Sequence, residues 1–173
     1  MDSGLERLKQ SLYSAVDGMS SEQLRRQPAG KWSAAEILEH LYLSYTGTIK
    51  GLERMLESGQ PTATRPSLRQ RARSFVVLGL NYLPNGREAP PMTRPKGLPP
   101  DKVKNDLGEK LAAMDSLLAQ GETHFGRSAP VLEHPILGPL TARQWRKFHC
   151  IHGRHHHKQI LRLRENMQVT HAK

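Results

Sequence analysis

Apolar residues recur every three or four positions in four long stretches of the chain, which is the spacing of an amphipathic helix. These stretches cover about residues 3 to 18, 33 to 58 and 101 to 121, and from 141 through a histidine-rich segment. The alternation that is typical of strands is missing, because Val76–Val77 and Val131–Leu132 are short and isolated. The pattern therefore predicts an all-α fold with four long helices.

Short motifs mark the ends of these helices. The form of a capping box is found at Ser3–Glu6, Ser33–Glu36 and Thr141–Gln144. Asp101 is the expected cap of the third helix, and Gly59 should end the second. Trp32 lies just ahead of the second helix, where a large apolar residue can act as a hydrophobic staple.

The connections between the helices differ in length. Residues 20–31 form a short polar link with one expected turn at Ser21–Leu24, which suits antiparallel neighbours. Residues 59–100 form a crossover rich in Pro and Gly that contains one predicted helix, from Ser67 to about Leu80. A crossover of this length can run along a whole bundle, so that the second and third helices are parallel. We therefore expect a single domain over residues 1–173, a four-helix bundle in up-down-down-up order.

The chain is strongly basic, since 26 Lys and Arg residues face 16 Asp and Glu residues. The basic residues are spread over the chain without a nucleic-acid-binding motif, so we expect a basic surface and no nucleic-acid partner. Cys150 is the only cysteine, which excludes an intramolecular disulfide and indicates a packing residue. No apolar run reaches the about 18 residues of a membrane span. Because residues 1–10 also do not resemble a signal peptide, we expect a cytoplasmic protein.

Histidines concentrate in the fourth helix, where five of the chain's nine lie between residues 145 and 163. His152 and His156 are four positions apart, so their rings lie along one helical face with roughly 6 Å between β-carbons. They share that face with Trp145, Phe148 and Leu163, which should point at the core. Two such rings can bind one divalent ion together with a third ligand from elsewhere. A solvated basic helix is the alternative, because Arg and Lys residues surround the histidines.

Three segments resemble one known family. Trp32–Leu41 resembles the second-helix signature of the DinB superfamily, and His152–Ile160 resembles its fourth-helix pattern HxxHHxxQ. His134–Thr141, followed by Trp145, resembles the lead-in found in an uncharacterised subgroup. The similarity covers the whole chain in helix order. From the residues alone, His40 would be a surface histidine beside an apolar face.

The resemblance implies a divalent metal ion bound by His40, His152 and His156, in a bundle that is often a homodimer. Three protein ligands with an open position are typical of a catalytic zinc-type centre. Imidazole ligands favour zinc or nickel, with iron or copper as further candidates, over magnesium or calcium. His155 is the intermediate histidine of the pattern. We expect His155 and Gln159 just beyond the ligands, where they can orient a ring.

Some members of this superfamily are transferases or isomerases that use low-molecular-weight thiols such as bacillithiol or mycothiol. The resemblance thus implies a metal-dependent thiol S-transferase acting on a small electrophile, because a metal lowers the pKa of a bound thiol. Arg69, Arg71 and Arg73 could meet the thiol's carboxylates, although a solvated surface is the more typical place for them. The alternatives are a non-enzymatic metal-binding or stress-response module, a metal-dependent hydrolase and, last, a nucleic-acid binder.

Overall fold

The structure is mainly helical. A computed structural model describes residues 1–61, 64–84 and 88–171. Within these ranges the helices are α1 (Ser3–Val16), α2 (Ser21–Arg25), α3 (Ala34–Ser58), α4 (Leu68–Ser74), α5 (Pro100–Phe125) and α6 (Ala142–His171). A π-helical turn, Phe75–Gly79, extends α4, and a 3-10 turn lies at Pro91–Thr93. The predicted all-α fold, with four long helices and one helix in the crossover, is confirmed.

Contacts along α1 show how it runs against its neighbours. The backbone N–H of Asp2 donates to Asp115 in the second half of α5, and the Tyr13 hydroxyl donates to the Lys104 carbonyl near the start of α5. These two helices are therefore antiparallel. The start of α1 packs beside the middle of α6, while Arg164 further along α6 donates to the carbonyl of Ser14 near the end of α1. α1 and α6 are therefore parallel.

Contacts along α3 complete the arrangement. Lys110 lies over the ring of Tyr42 early in α3, and Met55 late in α3 lies beside Gly121 near the end of α5, so these helices are parallel. Thr48 of α3 bonds His149 of α6, whereas His40, earlier in α3, meets residues later in α6. α3 and α6 are therefore antiparallel. Taken together, α1 and α6 run in one direction and α3 and α5 run in the other.

The helix ends follow local rules, with two corrections. The capping boxes at Ser33 and Thr141 are present, and Gly59 ends α3 with a left-handed φ of 64°. The cap of α1 is Asp2 and not Ser3, because the Asp2 carboxylate accepts the backbone N–H groups of Gly4 and Leu5. α5 begins before Asp101, at Pro100, since a proline at the first helical position lacks only an N–H that would have no partner there.

A short β-hairpin precedes α6, so the expectation of no strand was wrong. β1 (Pro130–His134) pairs antiparallel with β2 (Gly138–Thr141). Two strands of this length are marginal alone and need a partner surface. Val131 and Leu140 are buried, and Trp145 Nε1 donates to the Leu132 carbonyl at 3.0 Å. The hairpin therefore depends on packing against α3, α5 and α6, which a search for alternating residues cannot detect.

The core lies between the four long helices and is built mainly from leucines. Trp145 belongs to it, with an exposed fraction of 4%. Trp32 is only half-buried, because its ring borders an open cleft. Cys150 is buried, as expected of a packing residue. Among the described helices, none combines the length and apolar character needed to cross a membrane.

Gly153 allows α1 and α6 to approach each other closely, which gives a stability prediction. A Cβ at Gly153 would lie 2.5 Å from Cδ2 of the buried Leu8. We expect Gly153→Ala to destabilise the protein by about 1–3 kcal/mol through overpacking, measured by urea denaturation. Gly47→Ala is the matched control, because Gly47 is also within a helix but a Cβ there meets nothing within 4 Å. It should be stabilising by about 0.5–1 kcal/mol, and equal effects of both changes would contradict close packing at Gly153.

Candidate metal centre

Three histidines from two antiparallel helices meet in the interior. α3 carries His40, and α6 carries His152 and His156. The Nε2 atom of His152 lies 3.0 Å from Nε2 of His40 and 3.0 Å from Nε2 of His156. One ligand nitrogen from each ring lies within 4.8 Å of the other two, and all three side chains are buried. The arrangement could hold a metal ion.

The outer nitrogens of two rings determine which inner nitrogens carry lone pairs. His40 Nδ1 lies 2.8 Å from the Thr93 carbonyl, which only accepts, so Nδ1 carries the proton. His156 Nδ1 lies 2.8 Å from Gln159 Oε1, which also only accepts. A neutral imidazole carries one proton, so the Nε2 atoms of His40 and His156 both present lone pairs towards His152.

His152 cannot satisfy both of these lone pairs. Its Nδ1 is buried and has no hydrogen-bond partner among the described residues. A proton on its Nε2 could be donated to only one neighbour, and a proton on its Nδ1 would leave three lone pairs facing one another. An unsatisfied buried polar atom costs about 1–3 kcal/mol. A cation at the meeting point would satisfy all three, so the ring set fits a divalent metal of the kind that binds imidazole.

Burial keeps these rings in the neutral form. It lowers the pKa of His40, lowers that of His156 to about 3, and holds that of His152 well below its usual range. The neighbouring histidines lower the pKa of His152 and His156 further, because a second positive charge in the same site is unfavourable. Imidazole must be neutral to bind a metal. The three rings are therefore in the ligating state at neutral pH.

Gln159 connects the three rings to the next histidine on α6. Its Oε1 accepts from His156, and its Nε2 lies 3.2 Å from Nε2 of His155. Since the amide nitrogen donates, His155 Nε2 is the acceptor. His155 thus lies outside the cluster of three and stacks edge-on against His156, with 5.2 Å between ring centroids. Gln159 is placed to hold His156 in one orientation.

The whole helical framework around this site matches a known family. A profile of the DinB superfamily matches residues 5–160, a span that includes all three histidines. The chain belongs to the DinB superfamily. It is also 28% identical over 163 residues to the "Uncharacterized protein YuaE" of Bacillus subtilis (strain 168), which covers 90% of this chain and 92% of that protein. No solved structure matches the chain.

In this DinB protein the three rings lie at the base of a cleft of about 1390 Å³. Trp32 forms one wall, with its ring centroid 5.1 Å from that of His40, so it shields the site. Phe148 stacks on His152 from the other side at 5.4 Å. The crossover supplies part of another wall, through residues 72, 73, 76, 77, 83, 84, 88–90 and 92–95.

The three arginines considered from the sequence take two different positions. Arg69, Arg71 and Arg73 are all exposed on α4. Only Arg73 lines the cleft, while Arg69 and Arg71 do not. Surface solvation therefore accounts for two of them, because α4 presents one edge to the cleft. His157 on α6 is half-buried and does not line the cleft.

His149 belongs to neither of the two histidine motifs in the sequence. The structure buries it at 1% exposure beside the cleft, with Nε2 at 3.2 Å from Thr48 Oγ1. The Thr48 hydroxyl donates to the Ser44 carbonyl at 3.0 Å, so the His149 ring must donate to Thr48. His149 is thereby held apart from the three meeting nitrogens. Its spacing of three from His152 was the only signal in the sequence.

The buried histidines predict acid sensitivity of the metal-free protein. Burial lowers the pKa of His134 to about 4 and that of His149 and His156 to about 3. The unfolded chain regains values near 6.5 and so binds more protons below that pH. Each such histidine should reduce the free energy of unfolding by about 1.4 kcal/mol per pH unit between pH 6.5 and its folded pKa.

Urea titrations of the metal-free protein at pH 7.5, 6.0 and 5.0 measure this slope. His149→Gln should reduce this slope by about 1.4 kcal/mol per pH unit, which is the contribution of one histidine. His124→Gln is the control, because His124 is exposed on α5, outside the buried set. A free energy of unfolding that stays constant from pH 7.5 to 5.0 would show that the buried rings are not neutral in the folded state.

Proposed function

We propose that this protein binds one divalent metal ion through His40, His152 and His156, and that it is a metal-dependent thiol S-transferase acting on a small electrophile. The observation that carries the proposal is the meeting of three Nε2 atoms. In His40 and His156 the Nδ1 proton is bound by an acceptor, so the Nε2 atom of each ring presents a lone pair. Zinc and nickel suit this donor set, as do iron and copper. When bound, such a metal supplies the positive charge that lowers the pKa of a thiol.

The protein's own residues would bind and shield the reactants. Trp32 and Phe148 place aromatic surface against the histidine rings, which limits the access of water. The cleft of about 1390 Å³ exceeds the roughly 300–1,000 Å³ that one drug-sized ligand fills. A small thiol and an electrophile could therefore lie side by side above the three rings.

Basic side chains at the cleft favour a thiol that carries carboxylates. Lys31, Arg73 and Arg162 line the cleft, and none of them forms an ion pair with a described carboxylate. Arg94 also lines it but is paired with Glu88 at 2.7 Å. Unpaired cations at the rim attract anionic groups and raise their local concentration. The homodimer and the cytoplasmic location expected from the sequence stay predictions.

Metal content gives the first test of this proposal. The purified protein should contain about one equivalent of metal, and His40→Ala, His152→Ala and His156→Ala should each lose it, because two histidines hold a divalent ion poorly. Elemental analysis measures the content, and circular dichroism checks that the helices remain. His157→Ala is the control on the same helix and should keep the metal. Loss in His157→Ala with retention in His156→Ala would refute the assigned ligands.

Thiol transfer gives the second test. We expect the metal-loaded protein to join a small thiol to a chromogenic aryl halide, with loss of halide, and His152→Ala to lose this rate. Arg73→Gln should raise KM for 3-mercaptopropionate by several-fold but should not raise KM for cysteamine, because the first thiol carries a carboxylate and the second an ammonium group. Arg71→Gln is the matched control, because Arg71 also lies on α4 but does not line the cleft. Stoichiometric metal without transfer for any thiol would identify a non-enzymatic metal-binding module instead.

A further inference from the structure

Glu39, the residue before His40, is a buried carboxylate with an exposed fraction of 2%. Its two oxygens accept three consecutive backbone N–H groups of the crossover. These are Lys96 N–H at 2.6 Å, Gly97 N–H at 3.0 Å and Leu98 N–H at 3.1 Å. Hydrogen bonds to an ionised carboxylate are about twice as strong as neutral ones. A buried charge is therefore satisfied entirely by the backbone of a segment more than fifty residues away in the chain.

The crossover is shaped to receive this carboxylate. Gly97 has a φ of 83°, in the left-handed region that favours glycine. Successive N–H groups around such a residue point to one side and form a concave anion-binding site. We call residues 93–98 the strap. Its second half is fastened to α3 through Glu39.

The first half of the strap contacts a proposed metal ligand. The Thr93 carbonyl accepts the Nδ1 proton of His40 at 2.8 Å. Two neighbouring residues of α3 thus hold the same strap at its two ends, one through a carboxylate and one through an imidazole. Because a neutral imidazole has one proton, the position of the Thr93 carbonyl decides whether the Nε2 of His40 is a lone pair or an N–H.

We propose that Glu39 is a positioning residue for the metal centre. By fastening the strap to α3 it keeps the Thr93 carbonyl on His40 Nδ1, and so keeps the His40 Nε2 lone pair directed at the meeting point with His152. The consequence for metal affinity rests on the proposed function. The consequence for the His40 tautomer does not, because it concerns the metal-free protein alone.

The ring tautomer is the first measurement. In the metal-free protein at pH 7.5, the ¹⁵N chemical shifts of the imidazole nitrogens should show His40 protonated at Nδ1. Glu39→Gln places an amide NH₂ against a backbone N–H of the strap, so part or all of His40 should change to the Nε2-protonated form. A substitution that only lowers stability leaves the His40 tautomer unchanged, because the ¹⁵N shifts are read from the folded molecules alone.

Metal affinity is the second measurement, with Zn²⁺ as the probe in competition with a chromophoric chelator. Glu39→Gln should weaken Zn²⁺ binding by about 10–100-fold, the usual effect of removing a group that orients a ligand. Gly97→Ala should disturb the same hydrogen bonds from the side of the strap. A side chain at a φ of 83° strains the backbone, although there is free space for its Cβ. It should weaken binding in the same direction.

Gly59→Ala is the matched control for the strap. Gly59 has a φ of 64° and free space for a Cβ, so the backbone strain is similar, but it lies at the far end of α3 from His40. Gly59→Ala should leave both the His40 tautomer and the Zn²⁺ affinity unchanged. If Gly59→Ala weakens Zn²⁺ binding as much as Gly97→Ala does, the effect is general destabilisation and the proposal is overturned.

The outcomes separate this proposal from the proposed function. If the wild-type protein binds no Zn²⁺, the proposed function fails, while the tautomer shift still decides the role of Glu39. If Zn²⁺ binds but Glu39→Gln keeps both the Nδ1 tautomer and the wild-type affinity, the role of Glu39 as a positioning residue is refuted. If Glu39→Gln does not fold, Gly97→Ala and Gly59→Ala carry the same comparison.

Discussion

Three neutral imidazole rings meet between α3 and α6. Their contact requires that the two helices lie close together and that the rings are buried. The rings come from antiparallel helices, so α3 and α6 must lie close enough for Nε2 atoms to reach 3.0 Å. Burial keeps the rings uncharged, and close helix packing at Gly153 helps to hold α6 in place. Without a cation, the three nitrogens leave buried polar atoms unsatisfied, which is a cost that a folded protein accepts mainly at functional sites.

The three rings differ in what their Nδ1 atoms contact. His156 is held by Gln159 from its own helix, His40 by the Thr93 carbonyl of the crossover, and His152 has no partner among the described residues. On the α6 side, the orientation of His156 is therefore set by a residue three positions along the same helix. On the α3 side it depends on the path of a long connection. This asymmetry explains why Glu39, which fastens that connection, matters to a ring that it does not touch.

The crossover therefore has two physical roles. It supplies one wall of the cleft, and it supplies a backbone carbonyl to the site. Long connections in compact domains are usually functional, and this one is tied to α3 at a buried carboxylate. Lys31, Arg73 and Arg162 line this cleft together with Glu36 and Glu133.

The sequence by itself determined the features that depend on neighbouring residues. The helix periodicity, the capping boxes at Ser33 and Thr141 and the left-handed Gly59 all involve contacts within about four residues, which the sequence shows directly. The pairing of His152 with His156 belongs to the same class, since both lie on one helical face. The resemblance of two short motifs to the DinB superfamily then added His40 to them.

Only the tertiary structure decided what joins distant parts of the chain. His40 and Thr93 are 53 residues apart, and His40 and His152 are 112 apart. No periodicity or spacing shows that a carbonyl at Thr93 determines a ring tautomer, because any residue type supplies the same carbonyl. The hairpin beside Trp145 escaped prediction for a related reason, since its two short strands are stabilised by packing on α3, α5 and α6. Local hydrogen bonds can be predicted from residues that are adjacent in the sequence. The contacts of His40 and of the hairpin form only once the whole chain has packed.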